Sequence, residues 1–78
     1  MKEYQNIRNT LYLHIRKLRR DEHITQEQMA QMLGISRRTY ANYERGVHAM
    51  PVDVLVNIAD LFNISLDDLA GRKIEKSS

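Results

Sequence analysis

An all-α fold of five short helices is what this sequence predicts, and three observations predict it. Apolar residues recur at steps of three and four through most of the chain, and no stretch alternates convincingly as a strand would. The punctuation is sparse and falls between the periodic stretches, at Gly34, Gly46, Pro51 and Gly71. Thr or Ser stands ahead of several stretches, where a side-chain oxygen can satisfy the first free amides of a helix.

The first helix carries Tyr4, Ile7, Leu11, Ile15 and Leu18 as one stripe and ends near Asp21–His23. Residues 1–10 are either an arm, with Thr10 as N-cap, or an extension of that helix. A second helix begins after Thr25, and Gln28 three residues on completes a Thr-x-x-Gln capping box. Met29, Ala30 and Leu33 are its apolar side, and Gly34 suits the left-handed residue that ends a helix. Ser36 caps a third helix, which runs to about Arg45 and stops at Gly46. Pro51 suits the first turn of a fourth, which runs to Phe62. Asn63 or Ser65 starts a short fifth helix through Leu69, closed by Gly71. Residues 11–71 thus read as one domain, and 72–78 as a polar, disordered tail.

Size and composition exclude several functions. A chain of 78 residues forms one domain at most and has no room for a deep catalytic cleft beside its core. It has no cysteine, so neither a disulfide framework nor a thiolate metal site is possible. His14, His23 and His48 share no metal-ligand spacing, and no Ser/His/Asp set or carboxylate pair recurs at a defined interval. No cofactor, metal or enzymatic chemistry is expected. No apolar run approaches the ~18 residues of a membrane span. The first residues, Met1-Lys2-Glu3-Tyr4-Gln5-Asn6, lead into no apolar segment of a signal peptide, so the cytoplasm is the expected location.

The net charge of +2 conceals a segregation. Residues 1–45 hold nine Lys/Arg against five Asp/Glu, whereas residues 46–71 hold four Asp and no Lys or Arg. A basic first half suits an anionic partner, and nucleic acid is the commonest one. The third helix sharpens that reading when its residues are stepped about 100° apart. Thr39, Tyr40 and Tyr43 gather on one side, as core residues. Arg37, Arg38, Ala41, Asn42 and Arg45 gather on the other, which has no acid. Arg pairs bidentately with guanine O6 and N7, and Asn with adenine N6 and N7. Ala41 keeps the helix close to the base edges and offers its methyl to a thymine methyl. The free amides at the starts of helices two and three suit phosphates, with Thr25, Gln26 and Ser36 beside them, and Arg45 at the end of helix three is expected on phosphate as well.

The run Ile24-Thr25-Gln26-Glu27-Gln28-Met29-Ala30-Gln31-Met32-Leu33-Gly34-Ile35-Ser36-Arg37-Arg38-Thr39-Tyr40-Ala41-Asn42-Tyr43-Glu44-Arg45-Gly46 resembles the Cro/C1-type (Xre) helix-turn-helix family of phage and bacterial repressors. Ile15-Arg16-Lys17-Leu18-Arg19 looks like that family's first helix, and Pro51 through Leu69 like its fourth and fifth. The resemblance implies a five-helix, lambda-repressor-like DNA-binding domain. It implies base reading by Arg37, Arg38 and Asn42, a phosphate contact at Gln26, and an internal ion pair between Arg19 and Glu44. At Asp21-Glu22-His23 the sequence departs, because the family often has glycine at the third position. The expected protein is a sequence-specific transcriptional regulator, a repressor in the first instance. Its rival is an antitoxin that neutralises a partner protein and binds DNA secondarily. A single domain reads few base pairs, so a homodimer on paired half-sites is expected. Val54 or Leu61, with Leu66 or Leu69, is the candidate dimer patch, since helix four carries more apolar surface than one buried stripe needs.

Overall fold

The computed structural model describes the backbone of residues 2–71 and the side chains of residues 8–71. Within that range the chain forms five α-helices and no strand. The first, α1, spans Lys2–Asp21 without a break, so Thr10 lies inside it and residues 2–9 prolong the helix instead of forming an arm. Tyr12, Ile15 and Arg19 are its buried edge, flanked by Leu11 and Leu18. Tyr4 and Ile7 of the expected stripe lie outside the described side chains, and the tail at 72–78 outside the described residues.

Local signals set the other helices. α2 (Gln26–Leu33) opens on a complete capping box: Thr25 Oγ1 accepts from the Gln28 amide at 3.0 Å, and Gln28 Oε1 accepts from the Thr25 amide at 2.9 Å. α3 (Arg37–Glu44) opens on Ser36, whose Oγ accepts from the Thr39 amide at 3.0 Å. α4 (Val52–Leu61) has Pro51 immediately ahead of it instead of inside its first turn. α5 (Leu66–Leu69) opens on Ser65, so Asn63 is not the cap.

Asn63 has another task, shared with three residues elsewhere. α1, α2, α3 and α4 all end on a left-handed residue followed by a β-branched apolar one: His23-Ile24, Gly34-Ile35, Gly46-Val47 and Asn63-Ile64. In each pair the first amide donates three residues back and the second five residues back, as in Ile24 to Arg19 at 3.0 Å and Ile64 to Ala59 at 3.0 Å. Ile24, Ile35 and Ile64 then pack against the core. Val47 alone stays exposed, at 53%.

The core gathers Tyr12, Ile15, Met29, Ala30, Tyr40, Met50, Val54, Ile58, Ala59 and Leu69. α2 packs on α3 and α4, and α1 on α3 and α5. Two candidates for the dimer patch are therefore corrected. Val54 is 7% exposed and Leu69 fully buried, because α4 is covered on two sides and α5 is pressed against α1. Leu61 and Leu66 remain exposed, together with Val52 and Val56. At the seam between α1 and α5 the His14 Nδ1–H donates to the Leu69 carbonyl at 2.9 Å. A second tie reaches the α3–α4 loop, where the Met50 amide donates to the Tyr12 hydroxyl at 2.9 Å. Among the described residues no helix is long and apolar enough to cross a membrane.

Candidate nucleic-acid interface

α2, the turn at Gly34-Ile35-Ser36, and α3 form a compact pair, with Met29 and Ala30 of α2 buried beside Tyr40 of α3. That packing fixes which face α3 shows. Tyr40 is fully buried, and Thr39 and Tyr43 are half-buried. On the opposite side Arg37, Arg38 and Arg45 are exposed, and Ala41 and Asn42 are half-buried between them. The residues expected from the sequence to face a groove are therefore left outside the packed side of α3: two guanidinium groups in the first turn, an amide and a methyl behind them, and Arg45 at the far end.

Glu44, the only acid in α3, turns inward and is 5% exposed. Its carboxylate accepts from Arg19 Nε at 2.7 Å, Arg19 Nη2 at 3.2 Å, Gln26 Nε2 at 3.0 Å and the Tyr40 hydroxyl. Arg19 also donates to the Ile24 carbonyl at 2.7 Å, so one guanidinium grips α1, the α1–α2 loop and α3. Burial by itself would push the Glu44 carboxyl up. Hydrogen bonds from Arg19, Tyr40 and Gln26, with the Arg19 charge, outweigh burial and hold it below its ordinary value. Tyr40 moves the other way: burial, then its bond to the ionised Glu44, raises its phenol. The bond to Glu44 likewise raises Arg19 against the opposing effect of burial. Glu44 is thus an ionised knot joining α1, α2 and α3, and its charge is neutralised away from the outward face.

Three features were missed in the sequence. Gln26, expected to face phosphate, gives one amide hydrogen to Glu44. The Ser36 hydroxyl proton goes to Thr39 Oγ1 at 2.8 Å, so that side chain serves the cap on both sides. Arg8 of the helix extension donates to the Gly46 carbonyl at 3.2 Å and lies 5.4 Å above the Tyr12 ring, tying α1 to the end of α3. The i,i+4 spacing of Arg8 and Tyr12 on α1 was a usable signal for the last contact.

Known proteins resemble this chain over most of its described length. A helix-turn-helix family model matches residues 15–69. The HTH-type transcriptional regulator AnsR of Bacillus subtilis is 36% identical over 62 residues, covering 80% of this chain and 53% of AnsR. The cryptic phage CTXphi transcriptional repressor RstR of Vibrio cholerae is 48% identical over 48 residues, covering 62% of this chain and 43% of RstR. A crystal structure of a transcriptional regulator from Listeria innocua superposes with a TM-score of 0.74 at 26% identity, covering 83% of this chain and 61% of that one. The chain spans about half the length of AnsR and somewhat less of RstR. The match takes in the end of α1, the capped α2–α3 pair and the two helices that support it. This chain belongs to the Cro/C1-type helix-turn-helix family of DNA-binding transcriptional regulators.

Proposed function

We propose that the protein is a cytoplasmic, non-enzymatic repressor that binds a specific duplex as a homodimer and reads the major groove with α3. The observation that carries this reading is the division of α3. Its outer face and the C-cap Arg45 together hold three guanidinium groups, an amide and a methyl, while its one acid is turned inward and paired. Arg37, Arg38 and Asn42 read bases, with Ala41 allowing close approach. Arg45 holds backbone. Thr25 keeps its hydroxyl proton for a phosphate oxygen while its oxygen caps α2. Gln26 has a second amide hydrogen to offer besides the one on Glu44. Ser36 acts through the amides of α3 that it holds in place. No cofactor takes part.

Selection of bound sequences from a random duplex pool, at fixed salt, tests the reading. A half-site motif of a few base pairs repeated as a palindrome is the expected result. Uniform recovery of all sequences would overturn sequence reading. A chain that selects nothing but co-purifies with a second polypeptide would favour the antitoxin.

A further inference from the structure

Beside the C-terminal end of α3 lies a cleft of about 310 Å³, lined by Asn9, Tyr12, Leu13, Arg16, Glu44 and Arg45 among others. A neighbouring recess shares Asn9, Tyr12 and Arg45 with it and adds Arg8. Three arginines thus converge from α1 and the end of α3. Glu44 does not balance them, because Arg19, Tyr40 and Gln26 already engage its carboxylate. Arg16 Nε is buried with no hydrogen-bond partner, although a buried donor is normally satisfied. Arg8 holds the two walls together through its bond to the Gly46 carbonyl. We infer that this cleft takes one phosphodiester of the bound duplex, shared between Arg16 and Arg45, with the Asn9 amide as a third donor.

The inference rests on the DNA-binding reading above and extends it to α1. When the N-terminal residues of such a helix touch base edges, its far end leads out toward the strand backbone. The cleft stands at that far end. Arg16 supplies charge there, and an incoming phosphate oxygen supplies an acceptor to its guanidinium, whose Nε has none within the fold.

The full chain, its selected duplex and the variants Arg16→Gln, Arg45→Gln and the double test this. Each single variant is expected to bind all duplexes more weakly, with unchanged base preference. The double should reduce the slope of log K against log salt by about one, the value for one phosphate. Ethylating one phosphate per half-site should impair the wild type and leave the double variant's residual binding unchanged. An unchanged slope and ethylation pattern would overturn the inference, as would a loss of about two phosphates in the double, which means separate contacts. If Arg16→Gln does not fold, Arg45→Gln, whose side chain is exposed, and Arg16→Lys carry the test; the lysine variant should keep the slope. Wild-type chain that binds no duplex would overturn the DNA-binding reading and the phosphodiester together. A shift of the Arg16 Nε resonance on adding inorganic phosphate alone would then assign the cleft to a free anion.

Discussion

Glu44 and Arg37 stand on the same two turns of α3 and meet opposite surroundings. Glu44 and Arg19 form a pair whose side chains are 3% and 10% exposed. Removing one partner leaves the other charged and poorly hydrated. Arg19→Ala should therefore destabilise the fold by about 3–5 kcal/mol, the range for breaking a buried pair. Urea denaturation checks this, and an unchanged midpoint would refute it. The same carboxylate predicts an acid limb. Its pKa is lowered in the fold, so the folded chain holds that proton less readily than the unfolded chain does. The stabilisation is fully present above the ordinary value of 4.5 and is lost as pH falls through the lowered one. Unfolding midpoints measured from about pH 6 down to 3 should fall steeply in the wild type and less steeply in Glu44→Gln, which starts from a lower plateau. Arg37 faces outward, where truncation leaves the core intact. Arg37→Ala should lose about 1–3 kcal/mol of binding and relax preference at one base position, whereas Arg45→Ala should weaken all sequences alike. Uniform weakening by Arg37→Ala, seen in anisotropy against a panel of duplexes, would remove it from the base readers.

Helix ends show what was legible in the sequence and what was not. The caps of α2 and α3 were readable, because Thr25 and Ser36 need only their own side chains to work, whereas for α5 the sequence left Asn63 and Ser65 as equal candidates and the fold uses Ser65. Gly34 and Gly46 were readable as left-handed stops for the same local reason. His23 and Asn63 do that work without being glycine, at φ 58° and 55°. Their signal lay in the following residue: each of the left-handed stops after α1 to α4 precedes a β-branched apolar side chain, and three of those four enter the core. A β-branched residue fits that backbone poorly. His23→Val should lower unfolding free energy by about 1–2 kcal/mol, while His23→Gly changes it little, since relieved strain is offset by a looser unfolded chain. Gly71 is more tightly bound to its identity. Its φ is 74°, and a Cβ there would lie 3.0 Å from His14 Cε1 and 3.1 Å from Thr10 Cγ2. Gly71→Ala should lower the thermal midpoint more than His23→Gly does. Long-range partners, such as Tyr12 with Met50 and Gln26 with Glu44, were not legible, because only the assembled fold brings them together. The groove-facing side of α3 was legible, because one helix has one period.

On the scale of the molecule, charge divides the helices, while exposed apolar side chains occur on both sides of that line, Leu13 and Met32 in the basic part and a group of four in the acidic part. The basic residues lie mainly in α1 to α3, and α4 and α5 carry only aspartates as charged groups. Phosphates are attracted to the first part and repelled from the second, which leaves the second for protein contact. Val52, Val56, Leu61 and Leu66 are all exposed there. α3 has eight residues, about 12 Å of helix, enough for only a few base pairs. A specific operator then calls for two copies about 34–36 Å apart. Apolar burial between copies would come from Leu61 and Leu66, since Val54 and Leu69 are committed to the core. Two substitutions separate these roles. Leu61→Glu, at a residue 46% exposed, should leave a folded monomer whose operator affinity collapses while weak non-specific binding persists. Leu69→Glu, which buries a charge without a partner, should fail to fold. Sedimentation velocity with circular dichroism decides it. Wild type that stays monomeric at high micromolar concentration without DNA would count against a preformed dimer. A Leu61→Glu chain that sediments as a dimer would move the contact to another face, with Val52 and Val56 on the first turns of α4 the next to test.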